Sequence, residues 1–166
     1  MREVLFPILA GIIALGFQTT SLAFAVPTGL KPDLMLVVVV WAAGRISFGI
    51  GAPFAFMAGM MMDLFSGSPT GLFAVFYCLV LVCSAYAHAT LHIHGYAGPV
   101  VLVFCASVVA GATAVAAARV GGPVGLGWSA AGWIALKALI TAVTALPAFV
   151  LIEWAWRTSS EATTLR

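Results

Sequence analysis

The chain has 166 residues, of which 63% are hydrophobic and 7% charged, with a formal net charge of +2. A soluble domain carries about 25% charged residues, so this composition excludes a water-facing globule and points to a single integral membrane domain over 1–166. With no basic cluster to contact phosphates, nucleic-acid binding is excluded as well.

A helix needs roughly 20 apolar residues to cross a bilayer core. Val4 to Ala25 meets this and reads as a retained first span rather than a cleaved leader, because no convincing small-residue cleavage site follows it. The linker from Val26 to Asp33 carries two prolines and a glycine, and Asp33 can N-cap the helix that begins at Leu34. From Leu34 to Met62 the one charge is Arg45. A single helix of that length would be about 43 Å, too long for one crossing. The stretch from Gly44 to Pro53 supplies the break, giving short spans over about 34–48 and 52–65, with Arg45 reaching for water at an interface.

Gly71 to Ala89 is the fourth span and Pro99 to Ala118 the fifth, with Pro99 in a first helical turn. The sixth runs from Trp133 to Trp154, roughly 31 Å of helix with an aromatic belt at each end. The expected fold is therefore an all-α bundle of six spans, or five if the second and third are fused. With the N-terminus inside, Arg2, Arg45, Arg157 and Arg166 lie on the cytoplasmic side, against Lys31 and Arg119 opposite. That bias places both termini in the cytoplasm.

Asp63 and Lys137 fall at similar depth under this topology. Intramembrane ionisable groups usually pair, so an Asp63–Lys137 contact is expected, with Arg119 as a competing cation. Separate exposure of both residues to interfacial water is the alternative. His88, His92 and His94 lie between the fourth and fifth spans, and His88 and His92 share the i, i+4 spacing of a metal site. No Cys, Asp or Glu is near to complete the set, so no metal and no cofactor is expected. Cys78, Cys83 and Cys105 sit in apolar runs and read as small hydrophobes. Ala10 and Ala14, and Ala110, Ala114 and Ala118, repeat a small-xxx-small pattern that lets helices approach closely. Glu153 and Glu161 read as solvated anchors. Nothing in the inventory forms a nucleophile–base pair, a phosphate loop or paired carboxylates, so an enzyme is not expected.

From Lys31 to Ala87 the order of pieces resembles the MreD family of rod-shape-determining membrane proteins. Lys31, Pro32, Asp33 and Leu34 open an aliphatic helix, and Arg45 to Gly51 supply a basic residue and glycines. Phe56 to Gly59 then lead into Met62 to Gly67, and Pro69, Thr70, Gly71 and Leu72 open another helix. The resemblance covers about a third of the chain. It implies a non-enzymatic component of the bacterial cell-wall elongation complex, in the inner membrane. The implied partners are an MreC-type protein, a RodA-type glycosyltransferase and a class B penicillin-binding protein, with MreB filaments beneath and membrane lipid around. It assigns structural or partner-binding roles to Pro32, Asp33, Arg45, Gly59, Asp63, Gly67, Pro69 and Gly71, and Lys137 joins them through its expected contact. The family's fold is similar to the six-helix substrate-binding subunits of energy-coupling-factor vitamin transporters. A carrier subunit of that kind is the competing reading, and Ala10 and Ala14 could imitate its docking pattern.

Overall fold

The structure is a computed structural model, which describes residues 2–25, 31–66, 71–91, 97–120 and 128–164. Within them six α-helices follow one another: α1 Arg2–Ala25, α2 Leu34–Arg45, α3 Phe48–Ser66, α4 Leu72–Leu91, α5 Ala97–Val120 and α6 Trp128–Thr164. No strand occurs among the described residues. An all-helical bundle is one of the few solutions lipid permits, because a helix satisfies each backbone N–H and C=O within its own segment. Four of the helices are long and apolar enough to cross a membrane, with windows at Glu3–Thr20, Phe48–Phe65, Leu72–Thr90 and Gly132–Ser159, while Leu34–Arg45 and Gly98–Thr113 form shorter apolar stretches.

Side-chain neighbours give the helix directions. Phe6 meets Trp41 and Trp156, while a Cβ on Gly11 would touch Phe54 and Met35. So α1 runs antiparallel to α2. Asp33 meets Tyr77, and a Cβ on Gly44 would meet His88, which makes α2 and α4 parallel. Asp33 meets Thr141 and Arg45 meets Glu153, so α6 runs the same way. Between α3 and α4 the pairings Gly51 with Leu81 and Gly59 with Ala74 run in opposite directions. Consequently α1 and α3 point one way and α2, α4 and α6 the other, the alternation of a chain threading back and forth.

The short α2 is the centre of the bundle. It packs against all five other helices, and every residue from Met35 to Ala42 is buried. Its twelve residues rise only about 18 Å, less than a hydrocarbon core. The break after it is tighter than the span boundaries 34–48 and 52–65 anticipated. Helix α2 stops at Arg45, the Ile46 N–H closes its last turn on the Ala42 carbonyl, and the Ser47 carbonyl accepts from Ile50 and Gly51 at the start of α3. Pro53, expected in the break, lies inside α3.

At the other end of the chain α6 is a continuous helix of 37 residues, roughly 55 Å, so it continues past Trp154 instead of ending there. The aromatic belt is accordingly split. Trp133 and Trp154 are exposed at 53% and 66%, as residues facing lipid at an interface should be. Trp156 turns inward, with ring centroids 5.1 Å from Phe6 and 5.5 Å from Trp41, inside the range of favourable edge-on aromatic contact.

Candidate functional site

Two ends of the bundle hold its buried polar chemistry. At the first, the end where α3 passes into α4, the Asp63 carboxylate is 2% exposed. It accepts hydrogen bonds from the N–H groups of Gly71 at 2.9 Å, Phe73 at 3.0 Å and Ala74 at 3.4 Å. These are the orphan donors of the first turn of α4, and a carboxylate there also complements the positive end of the helix. The expected contact with Lys137 is corrected by this geometry. The acid is committed to backbone donors and makes no ion pair with Lys137.

Two glycines make the capping turn feasible. Gly71 has φ of 99°, in the left-handed region where a Cβ is strained. A Cβ on Gly59 would collide with the Ala74 Cα and stand 2.6 Å from the Ala74 nitrogen and the Phe73 carbonyl oxygen. The helices therefore touch backbone to backbone at the level where Asp63 reaches across. Gly67 and Pro69, which also belong to this turn in sequence, lie outside the described residues.

On the same side of the bundle Asp33 N-caps α2 as expected, its Oδ1 accepting from the Leu36 N–H at 3.1 Å. It does more than cap. The Tyr77 hydroxyl donates to both carboxylate oxygens at 2.9 Å, and the Asp33 N–H approaches the Thr141 hydroxyl at 3.5 Å. Asp33 and Pro32 are buried and Tyr77 is fully so. Burial pushes the Asp33 carboxyl above its ordinary range, while the Leu36 N–H, the Tyr77 hydroxyl and the Lys137 ammonium each pull it back. Lys137 thus acts on Asp33 electrostatically, the acid that sequence depth did not select. Nearby in the topology, on the second half of α1, the Gln18 Oε1 is buried without a hydrogen-bond partner.

At the opposite end Glu153 is 6% exposed, which corrects its reading as a solvated anchor. Its Oε1 accepts from Arg45 Nη2 at 2.9 Å and Arg157 Nε at 3.2 Å, and its Oε2 stands 3.5 Å from Trp41 Nε1. Arg45 does keep about half its side chain exposed, at 48%, as an interfacial arginine should, but it also joins α2 to α6. No sequence signal marked this pair, because the residues are 108 positions apart. The i, i+4 spacing of Glu153 and Arg157 on one helix was readable and went unused. His88 lies on the last turn of α4, its ring beside Gly44.

Among the described residues no three His, Cys, Asp or Glu side chains are grouped to hold a metal ion. His92 and His94 lie outside the described residues, as does the side chain of Arg119. Compared with protein-family profiles, curated proteins and solved structures, the chain matches none.

Proposed function

We propose that this protein is a non-enzymatic membrane scaffold of the MreD type, which organises cell-wall elongation enzymes by binding an MreC-type partner in the bacterial inner membrane with both termini in the cytoplasm. The observation that carries the reading is the Asp63 junction. The residues in which the sequence most resembles that family, from Gly59 to Leu72, contain a carboxylate fully engaged by the N–H groups of Gly71, Phe73 and Ala74. An acid committed to joining two helices serves architecture, and such a junction suits a protein that presents surfaces rather than turning over a substrate. The apolar outer face of α1, with Ile12 and Ile13 exposed at 60% and 69%, offers room for the single membrane helix of a partner as well as for lipid.

The runner-up, a substrate-binding subunit of a vitamin-type transporter, draws on a different observation. Asp33, Tyr77, Thr141 and the buried Gln18 Oε1 concentrate polar groups toward one end of the bundle. In that reading they line a ligand site.

One experiment separates the two. The tagged protein is purified from native membranes in mild detergent and the co-eluting proteins are identified by mass spectrometry. Enrichment of an MreC-type protein, with or without the glycosyltransferase and transpeptidase, is the expected result. Co-elution of cytoplasmic ATPases with a larger membrane subunit would overturn the scaffold in favour of the carrier.

A further inference from the structure

We propose that Asp33 and Tyr77 form a proton-binding latch: one proton on the Asp33 carboxyl fastens α2 to α4, and its loss loosens that hold. The Tyr77 oxygen stands 2.9 Å from both carboxylate oxygens. A hydroxyl owns one hydrogen, so an ionised Asp33 leaves two short contacts sharing a single donor. A proton on Oδ2 completes the pair. Tyr77 then donates to Oδ1 and accepts from the Oδ2–H, a closed ring of two hydrogen bonds, while Oδ1 keeps the Leu36 N–H at 3.1 Å.

The surroundings favour the neutral acid without enforcing it. Asp33 is 6% exposed, and Tyr77 and Thr141 are fully buried. A carboxylate taken out of water without a paired cation tends to bind a proton instead. Neither Lys137 on α6 nor Lys31, two positions before the acid, makes an ion pair with it. Lys137 still attracts the anion from a distance, and the Leu36 N–H supports it, so both charge states are within reach. From α3, Asp63 acts on Tyr77 electrostatically but is itself held by backbone N–H groups. Cys78, next to Tyr77 on α4, packs on the apolar core. Glu3 of α1 lies at the far end of the bundle, where Phe6 meets Trp41, and Cys105 of α5 is exposed.

The position of the latch gives the proton its leverage. Asp33 begins the helix that packs against all five others, and its N–H also approaches Thr141 of α6 at 3.5 Å. Ionisation therefore leaves a buried charge where α2, α4 and α6 meet. Burial raises the proton affinity of the folded state above that of the unfolded chain. The stabilisation is then fully present below the ordinary carboxylate range and is lost as pH rises through the folded-state value. The latch is independent of the scaffold and carrier readings and holds under either.

The test uses the full chain in neutral detergent, with infrared difference spectroscopy following the C=O bands of protonated carboxyls as pH is raised. The expected result is a band that persists above the usual aspartate value of about 3.9, fades at higher pH, and is absent from D33N. That variant replaces the O–H donor by an N–H donor, so it mimics the closed latch and should fold. Y77F should keep the band but move it to higher wavenumber, because the carbonyl loses a donor. The folding constant should fall by up to about tenfold per pH unit across the band's range, read as a falling melting temperature, and D33N should be flat there. Labelling with carboxyl-13C aspartate needs no variant: the chain has two aspartates, Asp33 and Asp63, and the band must shift with the label. A band indifferent to the label, one retained in D33N, one unmoved in Y77F, or a melting temperature that rises with pH through this range would each overturn the latch.

Discussion

Arg45 Nη2 and Glu153 Oε1 are 2.9 Å apart across 108 residues of chain, and this contact ties the end of the central helix α2 to α6. Because Arg157 reaches the same oxygen at 3.2 Å, either arginine can hold the acid when the other is removed. Arg45→Ala or Arg157→Ala alone should therefore cost little, on the order of 1 kcal/mol, as for exposed partners. The double variant leaves Glu153 buried without a cation and should cost about 3 kcal/mol or more. Thermal unfolding in detergent measures all three, and strict additivity would show that the carboxylate is not shared.

Gly59 and Gly49 sit on the same helix and should respond oppositely to alanine. At Gly59 the new methyl runs into the backbone of α4 at Ala74, which no rotamer change can relieve. Overpacking of this kind costs about 1–3 kcal/mol. At Gly49 nothing lies within 4 Å, and alanine there should be neutral or stabilising by about 0.5–1 kcal/mol. Equal melting temperatures for Gly59→Ala and Gly49→Ala would contradict the close approach of α3 and α4.

Asp63→Asn keeps an acceptor but loses the charge that matches the Gly71, Phe73 and Ala74 N–H groups, and should cost about 1–3 kcal/mol. Since Asp63 makes no ion pair with Lys137, a double-mutant cycle with Lys137→Met should show coupling below about 0.5 kcal/mol. A coupling of several times that size would restore the ion pair expected from sequence depth.

Tyr77→Phe removes the hydroxyl that donates to both oxygens of Asp33 and leaves the volume unchanged. The loss should be about 1.5–3 kcal/mol, the range for hydrogen bonds to a charged group. Asp33→Leu combined with Tyr77→Phe removes both partners and should cost less than the sum of the two single changes. Stability curves for the four proteins of this cycle decide it.

Much of the architecture was legible in the chain because lipid permits few solutions. Long apolar runs became helices since no other open segment satisfies its backbone in hydrocarbon, and Asp33 before Leu34 marked an N-cap that the structure bears out. Hydropathy could not say which helix lies in the middle. In water an amphipathic stripe separates core from surface, but here lipid is as apolar as a core, so the valines of α2 and the isoleucines of α1 look alike in sequence. Only packing buried Val37 to Val40 and left Ile12 and Ile13 outside.

The acids divide in the same way. Asp63 could be placed at a helix junction from the turn residues around it, since capping depends on neighbours a few positions away. Whether its partner was a lysine or a set of backbone N–H groups depended on how closely Gly59 let α3 approach α4, a tertiary distance. Glu153 was misread because its burial comes from Trp41 and Arg45 on another helix. Composition and local turn chemistry thus determined that this is a helical membrane protein and where several of its helices begin. The three-dimensional packing decided that Arg45 faces Glu153, because that pair meets across two helices whose separation in sequence carries no record of their separation in space.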